Sequence, residues 1–302
     1  RETQGMTQGE LAKRLGTTQS AIARMESGKQ NISAEMLKKL SSALKKNLIT
    51  LSPGTMNLEI HGGQKMHGTV VTSTSKNGAV GLLCASLLNK HRTILRRVPR
   101  IEEVHRIIEV LESIGMRVEW NGSDVTLTPP ARYELAKIDR VAAQKTRSIV
   151  MFIGPLMHHL RKFSLPQSGG CKLGSRTVRP HFFALERFGV HIEAKHDEFA
   201  VHVTPKKAGE IILYESGDTV TENALLGAAL TPGITVIKYA SANYQVQEVC
   251  AFLEQCGVRI EGFGTTTLTV HGIASIQHSV EYTLSEDPTD TMFFLATAIV
   301  TH

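Results

Sequence analysis

A glycine-rich loop with a single cysteine is the segment of this sequence best suited to chemistry. The loop spans residues 168–175, Ser-Gly-Gly-Cys-Lys-Leu-Gly-Ser, and Arg176 follows it directly. Glycines let backbone amides approach an anion closely. Lys172 and Arg176 favour a phosphate or carboxylate ligand, and they also favour the reactive thiolate form of Cys171. The loop therefore predicts an anion site beside a reactive thiol.

Further polar residues stand where predicted apolar helices begin. Lys76 and Asn77 lie at the start of one such helix, and Arg147 opens another. Any one of these residues alone is more typical of a solvated surface than of a site. The other three cysteines, Cys84, Cys250 and Cys256, are predicted to be packing residues. The pair His158-His159 lacks further ligands at a suitable spacing, so we expect neither a metal nor a cofactor.

A threefold repeat positions these residues. A nine-residue pattern that begins Leu-Glu and has Gly at its fifth position recurs with its glycine at 115, 189 and 257. Each copy predicts an amphipathic helix ending at the glycine, followed by two strands. An apolar helix is predicted to open each unit, at 78–88, 147–160 and 222–230, and residues 290–300 look like the start of a fourth. Repeats of this length predict units that stack around a shared core.

The motifs around these helices resemble one enzyme family. The resemblance is carried by residues 75–77, 95–118 with Val98-Pro99-Arg100, 147–148, 154–156 and the run from Gly169 through Cys171 and Arg176 to His181. Together they resemble the UDP-N-acetylglucosamine 1-carboxyvinyltransferase family of enolpyruvyl transferases. This resemblance covers residues 57–302 and somewhat over half of the family's length. It implies an inside-out α/β domain of three repeated units.

The resemblance implies the activity and the roles of the site residues. Members of the family transfer the enolpyruvyl group of phosphoenolpyruvate to the 3-hydroxyl of UDP-N-acetylglucosamine and release phosphate, the first committed step of peptidoglycan synthesis. Cys171 is then the general acid. Phosphoenolpyruvate is expected to bind Lys76, Asn77 and Arg176. The sugar nucleotide is expected to contact Asn77, Arg147, Val178 and His181.

Two departures from the family bear on the sugar nucleotide. Arg179 stands where the family has the Asp that it uses toward the uracil ring, and Gly217-Asp218-Thr219 replaces a Ser-Val-Gly stretch at the diphosphate. An added negative charge at Asp218 disfavours a diphosphate. Asp287 and Asp290 fall where the family has acidic residues near its second domain, and we assign them no role. That second domain would follow His302, so we expect the chain as given to be an incomplete enzyme.

Residues 1–47 predict a small helical module of a different kind. Thr7 and Glu10 form a capping box for a first helix, Gly16 makes a turn, and Thr18 caps a second helix that ends near Gly28. A third helix is predicted to start after Ser33. Two short helices joined by a tight turn make a helix-turn-helix, and the pattern resembles the Cro/repressor-type family, whose first helix looks cut off here. The resemblance implies DNA contacts from Gln8, Thr18, Gln19, Ser20 and Arg24, and a homodimer through this module.

Composition and charge agree with two parts of different function. Residues 1–50 hold nine basic and four acidic side chains, a net +5 of the chain's +6. This charge is equally typical of a module with a polyanion partner and of a solvated helical surface. Residues 48–56 are predicted to be a linker, and 58–61 and 69–72 to be strands. No apolar run is long enough to span a membrane, and we expect a cytoplasmic protein. Two functions stay open: an enolpyruvyl transferase fused to a DNA-binding module, or a DNA-binding regulator that uses a degenerate transferase domain as a ligand sensor.

Overall fold

The structure, a computed structural model, describes residues 5–27, 34–44, 50–52, 55–57, 68–167 and 177–301. The chain divides into two compact units, residues 1–68 and 69–302, and each is described by itself. The predicted ends of helices at Gly28 and Ser33, the predicted strand 58–61, and both Cys171 and Arg176 lie outside the described residues. None of the helices in the described ranges combines the length and apolarity that a bilayer crossing requires.

The described part of the N-terminal unit contains three helices and a short antiparallel hairpin. These are α1 (Gln8–Leu15), α2 (Gln19–Glu26), α3 (Ala34–Ala43), β1 (Thr50–Ser52) and β2 (Thr55–Asn57). The predicted capping box at Thr7 and Glu10 is confirmed, and Gly16 takes a left-handed φ of 65° in the turn. The hairpin falls on the predicted linker 48–56, so this stretch is not free of regular structure.

The C-terminal unit consists of three repeats with helices inside and sheets outside. The first repeat contains α4 (Lys76–Ala85), which a 3₁₀ turn Ser86–Leu88 extends, then β3 (Thr93–Arg96), α5 (Glu102–Ser113), β4 (Arg117–Asn121) and β5 (Asp124–Thr128). The second begins with α6 (Arg140–Gln144), a 3₁₀ helix Arg147–Phe152 and α7 (Ile153–Leu156), and continues with β6 (Lys162–Pro166), α8 (Arg179–Glu186), β7 (Val190–Ala194) and β8 (Glu198–Val203). The third contains β9 (Glu210–Ile212), α9 (Asp218–Ala229), β10 (Gly233–Lys238), α10 (Tyr244–Gln255), β11 (Arg259–Glu261) and β12 (Thr267–Gly272), and is followed by β13 (Val280–Thr283) and α11 (Pro288–Val300).

The repeat pattern predicted these elements for a physical reason. The glycines that end the three amphipathic helices, Gly115, Gly189 and Gly257, have φ of 105°, 82° and 91°. A side chain with a Cβ rarely adopts such a conformation, and the glycine therefore fixes the end of each helix. The central helices α4 and α9 are apolar on most faces and are buried along nearly their whole length, so they form the shared core.

The sheets show how the repeats interlock. Their strand orders are β13-β3-β5-β4, β6-β8-β7 and β9-β10-β12-β11. Strand β13 follows the third repeat, yet it pairs in parallel with β3 of the first. The predicted strand 69–72 is wrong: these residues form no strand, and in the segment that leads into α4 only Thr74 forms a bridge, to Glu286. Strand β3 lies between β13 and β5.

The predicted helix 147–160 is also corrected, because an asparagine side chain enters it. The Asn223 amide donates to the carbonyl oxygen of Val150 (3.1 Å) and accepts from the Gly154 N–H (3.0 Å). These two backbone groups are the pair that an α-helix would join. Pro155, the next residue, has no N–H to donate. The segment therefore starts as a 3₁₀ helix, becomes α only at Ile153–Leu156, and ends in a turn.

A close contact at Gly78 gives a test of this packing. A Cβ on Gly78 would overlap with Glu248 Oε2, which is itself buried. We expect Gly78→Ala to lower the free energy of unfolding by about 2–4 kcal/mol, because either the carboxyl or α4 must move. Urea unfolding followed by fluorescence of Trp120, the chain's one tryptophan, measures this in the C-terminal unit. Gly209→Ala is the control, since its Cβ meets nothing within 4 Å and should change stability by less than about 0.5 kcal/mol.

Candidate active site

A pocket of about 220 Å³ lies where the central helices of the three repeats begin. It is lined by Asn77 from the first turn of α4, by Arg147 and Ser148 from the 3₁₀ helix, and by Gly217, Asp218 and Thr219 at the start of α9, together with Val150, Met151, His181, Glu215 and Gln245. The N-termini of α4 and α9 present unsatisfied N–H groups and positive partial charge. These helix N-termini favour an anion, whereas Asp218 and Glu215, which also line the pocket, oppose one.

Three of the predicted sugar-nucleotide residues meet in this pocket. Asn77, Arg147 and His181 are separated by up to 104 residues in sequence, and the stacking of the repeats brings them together. The Arg147 guanidinium donates to the carbonyl oxygen of Thr177 (2.8 Å). Thr177 is the first described residue after the segment that contains Cys171 and Arg176. Val178 is half-buried against the core and does not line the pocket.

Lys76 is held beside the pocket by a carboxylate. Its Nζ lies 2.6 Å from Glu103 Oε2 in α5. The other oxygen, Glu103 Oε1, accepts from the hydroxyls of Thr146 (3.1 Å) and Ser148 (3.0 Å), which flank Arg147. Burial raises the pKa of Glu103, but Lys76 and the two hydroxyls outweigh it, so the pKa falls below its usual value. Glu103 therefore stays ionised. One of its oxygens holds Lys76, and the other holds the two residues that flank Arg147.

His181 is a buried, neutral histidine with a defined tautomer. Burial, with a smaller contribution from Arg147, lowers its pKa to about 3. Asn223 is oriented by its bonds to Gly154 and Val150, so its amide N–H donates to His181 Nδ1 (3.2 Å). A neutral imidazole that accepts at Nδ1 carries its proton on Nε2. That N–H faces the Thr219 hydroxyl at 3.4 Å, on the pocket wall.

Asp218 places a carboxylate at the pocket wall. Neighbouring groups offset its negative charge. It is the first residue of α9, where the helix N-terminus favours negative charge. One oxygen accepts from the Ser241 hydroxyl and the other from the Asn243 side-chain amide (3.0 Å). The predicted departure at 217–219 thus lies in the pocket, where Asp218 is held by donors of its own.

A buried acid lies behind the pocket wall. Glu222, on α9, is 1% exposed and hydrogen-bonds to Gln245, which lines the pocket. Burial, with a further contribution from Asp218, raises the pKa of Glu222 to about 8. Its Oε1 is buried with no partner among the described residues. Glu222 therefore carries a proton at neutral pH.

Sequence reasoning missed Glu103, Asn223, Glu222 and Gln245. Glu103 has the sequence signature of an acidic first-turn residue of α5, which is common at helix N-termini. Nothing in the sequence marks its pairing with Lys76, 27 positions earlier. A polar pair such as Glu222-Asn223 inside an otherwise apolar helix was the available signal, because buried polar groups usually have a specific partner.

The remaining predicted residues have structural partners. The cysteines Cys84, Cys250 and Cys256 are buried, as predicted. Asp287 caps α11 by accepting from Thr289 N, and Asp290 accepts from Ser73 N. His158 accepts at Nδ1 from Lys206 and faces the Leu226 carbonyl, whereas His159 faces the Leu87 carbonyl. The two histidine rings thus point at the ends of different helices.

The helix-turn-helix presents an exposed polar face. Gln19, Ser20 and Arg24 are exposed along α2, and Thr18 caps that helix by accepting from Ala21 N. Gln8 donates to Glu26 (2.7 Å), so it ties α1 to α2. Beneath this face, the side chains of Leu11, Leu15 and Ile22 are buried in a separate core.

Comparison with known protein families identifies the class of protein to which this fold belongs. The family described as EPSP synthase (3-phosphoshikimate 1-carboxyvinyltransferase) matches residues 60–302, and a helix-turn-helix family matches residues 1–51. The chain therefore belongs to the EPSP synthase family and carries a helix-turn-helix module at its N-terminal end. The predicted fold class is confirmed.

Among curated relatives, the chain is similar to UDP-N-acetylglucosamine 1-carboxyvinyltransferases, which confirms the resemblance drawn from the motifs. It is 36% identical to that of Thermobifida fusca over 247 residues, covering 78% of this chain and 56% of the relative. It is 33% identical to that of Treponema denticola over 243 residues, covering 80% and 56%. The chain thus spans just over half the length of these relatives.

Solved structures share the fold at lower identity. A crystal structure of an enolpyruvyl transferase from Streptomyces tendae aligns with a TM-score of 0.67 and 20% identity, over 78% of this chain and 56% of that one. An EPSP synthase from Acinetobacter baumannii aligns with a TM-score of 0.59 and 15% identity, over 76% and 52%.

Proposed function

We propose that this chain provides one wall of the active site of an enolpyruvyl transferase. The reaction would move the enolpyruvyl group of phosphoenolpyruvate to the 3-hydroxyl of UDP-N-acetylglucosamine and release phosphate. The observation that carries the proposal is the convergence of Asn77 and Arg147 with the N-termini of two buried helices in one pocket. Both substrates are polyanions, and such a pocket favours them. The names of the similar curated relatives support the same reaction.

The proposed chemistry is an addition followed by an elimination. Cys171 gives its proton to the methylene carbon of phosphoenolpyruvate while the sugar hydroxyl adds to the neighbouring carbon and its proton passes to the phosphate group. The resulting tetrahedral ketal then expels the protonated phosphate, and the Cys171 thiolate takes a proton back from the new methyl group, which restores the double bond and the thiol. Lys76 and Arg176 neutralise the phosphate and carboxylate charges, and this stabilises the transition state. For Lys76 to do so, the incoming anion must compete with Glu103.

The sugar nucleotide is assigned to the pocket itself. Arg147 supplies a guanidinium for the diphosphate, and Asn77 an amide for the sugar. His181 presents an Nε2–H donor at the wall, and Val178 supports the start of α8 against the core. With these substrates, the reaction would belong to peptidoglycan synthesis and so contribute to cell shape and division. The proposed location is therefore the cytoplasm.

Phosphate release is the direct test of the proposed reaction. The full-length protein is incubated with phosphoenolpyruvate and UDP-N-acetylglucosamine, and inorganic phosphate is followed with time. Release that needs both substrates supports the proposal. No release, or release without the sugar nucleotide, contradicts it.

Asp218 gives a prediction about the sugar nucleotide. We expect Asp218→Ser to lower the KM for UDP-N-acetylglucosamine about fivefold, because a carboxylate that repels the diphosphate is removed from the pocket wall, a change of roughly 1 kcal/mol. The KM for phosphoenolpyruvate should change less. Asp197→Ser is the matched control, since Asp197 is an exposed carboxylate paired with Arg140 away from the pocket. An unchanged or higher KM for the sugar nucleotide in Asp218→Ser would show that the donors around Asp218 already neutralise it.

A regulator is the second candidate function, and the N-terminal unit favours it. Gln19, Ser20 and Arg24 form an exposed polar face on α2, and amide and guanidinium groups of this kind suit contacts with DNA bases and phosphates. In this proposal residues 1–47 bind DNA as a homodimer, and the transferase domain acts as a ligand sensor. DNA binding that changes with UDP-N-acetylglucosamine, together with no phosphate release, would favour the regulator over the enzyme.

A further inference from the structure

The three sheets of the C-terminal unit differ at one edge. In two of them, a short parallel strand lies beside the strand that follows the central helix of the repeat: β13 beside β3, and β9 beside β10. The sheet of the second repeat has the order β6-β8-β7, and in the described part of the chain no strand lies on the free side of β6. The segment that precedes this repeat contains Pro129 and Pro130 and a 3₁₀ turn at Leu135–Lys137 rather than a strand.

The free edge of β6 has backbone groups that point away from the sheet. Val203 N donates to the carbonyl oxygen of Arg161, and Gln167 N donates to that of Asp197, so odd-numbered residues of this strand bond toward β8. The N–H and C=O groups of Lys162 and Ser164 therefore point to the open side. Among the described residues no hydrogen bond occupies them. Pro166, which has no N–H, falls on the same side, where an edge strand tolerates it.

A groove lies beside this edge. It has a volume of about 930 Å³ and runs between β6 and the segment 130–138. Its apolar lining comes from Leu135, Ile138, Leu160 and Phe163. One wall is a strand edge and the other is an irregular segment, so the space suits a single extended chain rather than the face of a folded domain.

The two filled sheets show the chemistry of the strand that fits. In β13, Val280 and Tyr282 point inward, and Glu281 points outward to pair with Arg96 on β3. In β9, Ile211 points inward, and Glu210 pairs with Lys238 on β10 (2.7 Å). Each edge strand thus has apolar residues that point inward and one outward acid, which pairs with a basic residue on the strand beside it.

The open edge of β6 also carries a basic residue, Lys162. Lys162 is exposed on β6 and makes no ion pair with any residue in the described ranges. Two other charged residues of the lining already have partners: Arg140 pairs with Asp197, and Glu198, on β8, accepts from the Ser164 hydroxyl (3.4 Å). Lys162 begins its strand whereas Arg96 and Lys238 end theirs, but like them it is a basic residue on the strand beside the edge position.

We propose that the groove beside β6 binds an extended acidic peptide of another protein, which joins the sheet as a fourth, parallel strand. The backbone bonds supply binding, apolar side chains at alternate positions fill the groove, and an acidic residue between them pairs with Lys162. This proposal is independent of the proposed reaction, because the edge of β6 and the pocket at the helix N-termini share no lining residue.

A peptide copied from β13 is a suitable probe. Residues 279–284 of this chain, Ser-Val-Glu-Tyr-Thr-Leu, are synthesised with a fluorescein label, and binding to the full chain is measured by anisotropy. Amide hydrogen exchange by NMR then locates the peptide. We expect the amides of Lys162 and Ser164 to exchange more slowly when the peptide is bound, whereas those of Phe163 and Leu165, already bonded to β8, stay unchanged. Only strand addition at this edge produces this alternation.

Variants separate charge from backbone pairing. Lys162→Glu should weaken binding about fivefold for the acidic peptide and strengthen it for a peptide with Lys in place of Glu281. Ser164→Pro removes an N–H that the folded sheet does not use, so the chain should stay folded while peptide binding is lost. Lys207→Glu, a charge reversal at an exposed lysine in a loop, is the control and should bind normally.

Two results would overturn the proposal. One is peptide binding that is absent, or that is unaffected by both Lys162→Glu and Ser164→Pro. The other is concentration-dependent self-association of the chain that Ser164→Pro abolishes while the peptide does not bind, because the edge would then pair with a second copy of the chain. Phosphate release should be the same in all these variants.

Discussion

Replacing Cys171 with alanine will lower the rate of phosphate release by about 10²–10⁴-fold, the range expected when a positioned general acid is removed. The thiol is the group assigned to protonate phosphoenolpyruvate, and alanine has no proton to give. Steady-state rates of the full-length protein with both substrates measure the loss. Binding of UDP-N-acetylglucosamine, followed by calorimetry, should change little, because Arg147 and Asn77 remain in the pocket.

The other cysteines provide matched controls. Burial raises the pKa of both Cys250 and Cys256 to about 12, and it also raises that of Cys84. Cys256→Ala should therefore keep the wild-type rate. Fosfomycin, an epoxide that mimics phosphoenolpyruvate, should alkylate Cys171 before the three buried thiols, as read by peptide mapping. Labelling of Cys84, Cys250 or Cys256 first, or full activity in Cys171→Ala, would remove Cys171 from the mechanism.

Glu222→Gln will make the C-terminal unit more stable, and the gain will grow with pH. The folded state holds the Glu222 proton up to about pH 8, whereas the unfolded chain releases it near its ordinary pKa of 4.5. Between these values the folded state binds the extra proton, so stability falls as pH rises, by about 1.4 kcal/mol per pH unit. Glutamine has the shape of the protonated acid and no proton to lose. The variant should therefore gain roughly 4–5 kcal/mol over the wild type by pH 8.

Urea unfolding between pH 5 and 8.5, followed by Trp120 fluorescence, measures this difference. Glu254→Gln, an exposed acid on α10, is the control and should show no such trend. A difference between Glu222→Gln and wild type that stays constant with pH would mean that Glu222 is ionised in the folded protein.

The buried histidines have the opposite dependence on pH. Burial is the main cause that lowers the pKa of both His158 and His181 to about 3, so they stay neutral in the fold while the unfolded chain protonates below about pH 6.5. Their contribution to stability is complete above pH 6.5 and is lost as pH falls toward 3. Between pH 4.5 and 6.5 the two histidines raise stability by more than Glu222 lowers it, and above pH 6.5 Glu222 alone of these three lowers it, so Glu222→Gln should reduce the loss at higher pH.

Much of the architecture was open to prediction because its causes are local. The capping box at Thr7, the turn at Gly16 and the glycines after the amphipathic helices act within one or two turns of chain. The apolar composition of α4 and α9 predicts burial on every face. The predictions failed at 69–72 and 147–160, where the outcome depends on distant residues: β13 lies beside β3, and the Asn223 amide enters the segment after Arg147.

The candidate site likewise has features that the sequence predicts and features that depend on residues distant in the chain. Residue types alone were enough to single out Cys171, Lys76 and Arg147 as suited to the chemistry, because charge, nucleophilicity and hydrogen-bonding capacity belong to the side chain. The packing of the three repeats was needed to show that Asn77, Arg147 and His181 share one pocket, that Glu103 holds Lys76, and that burial raises the pKa of Glu222 to about 8. Proximity and burial are set by how the three repeats stack, and a local pattern carries no measure of either.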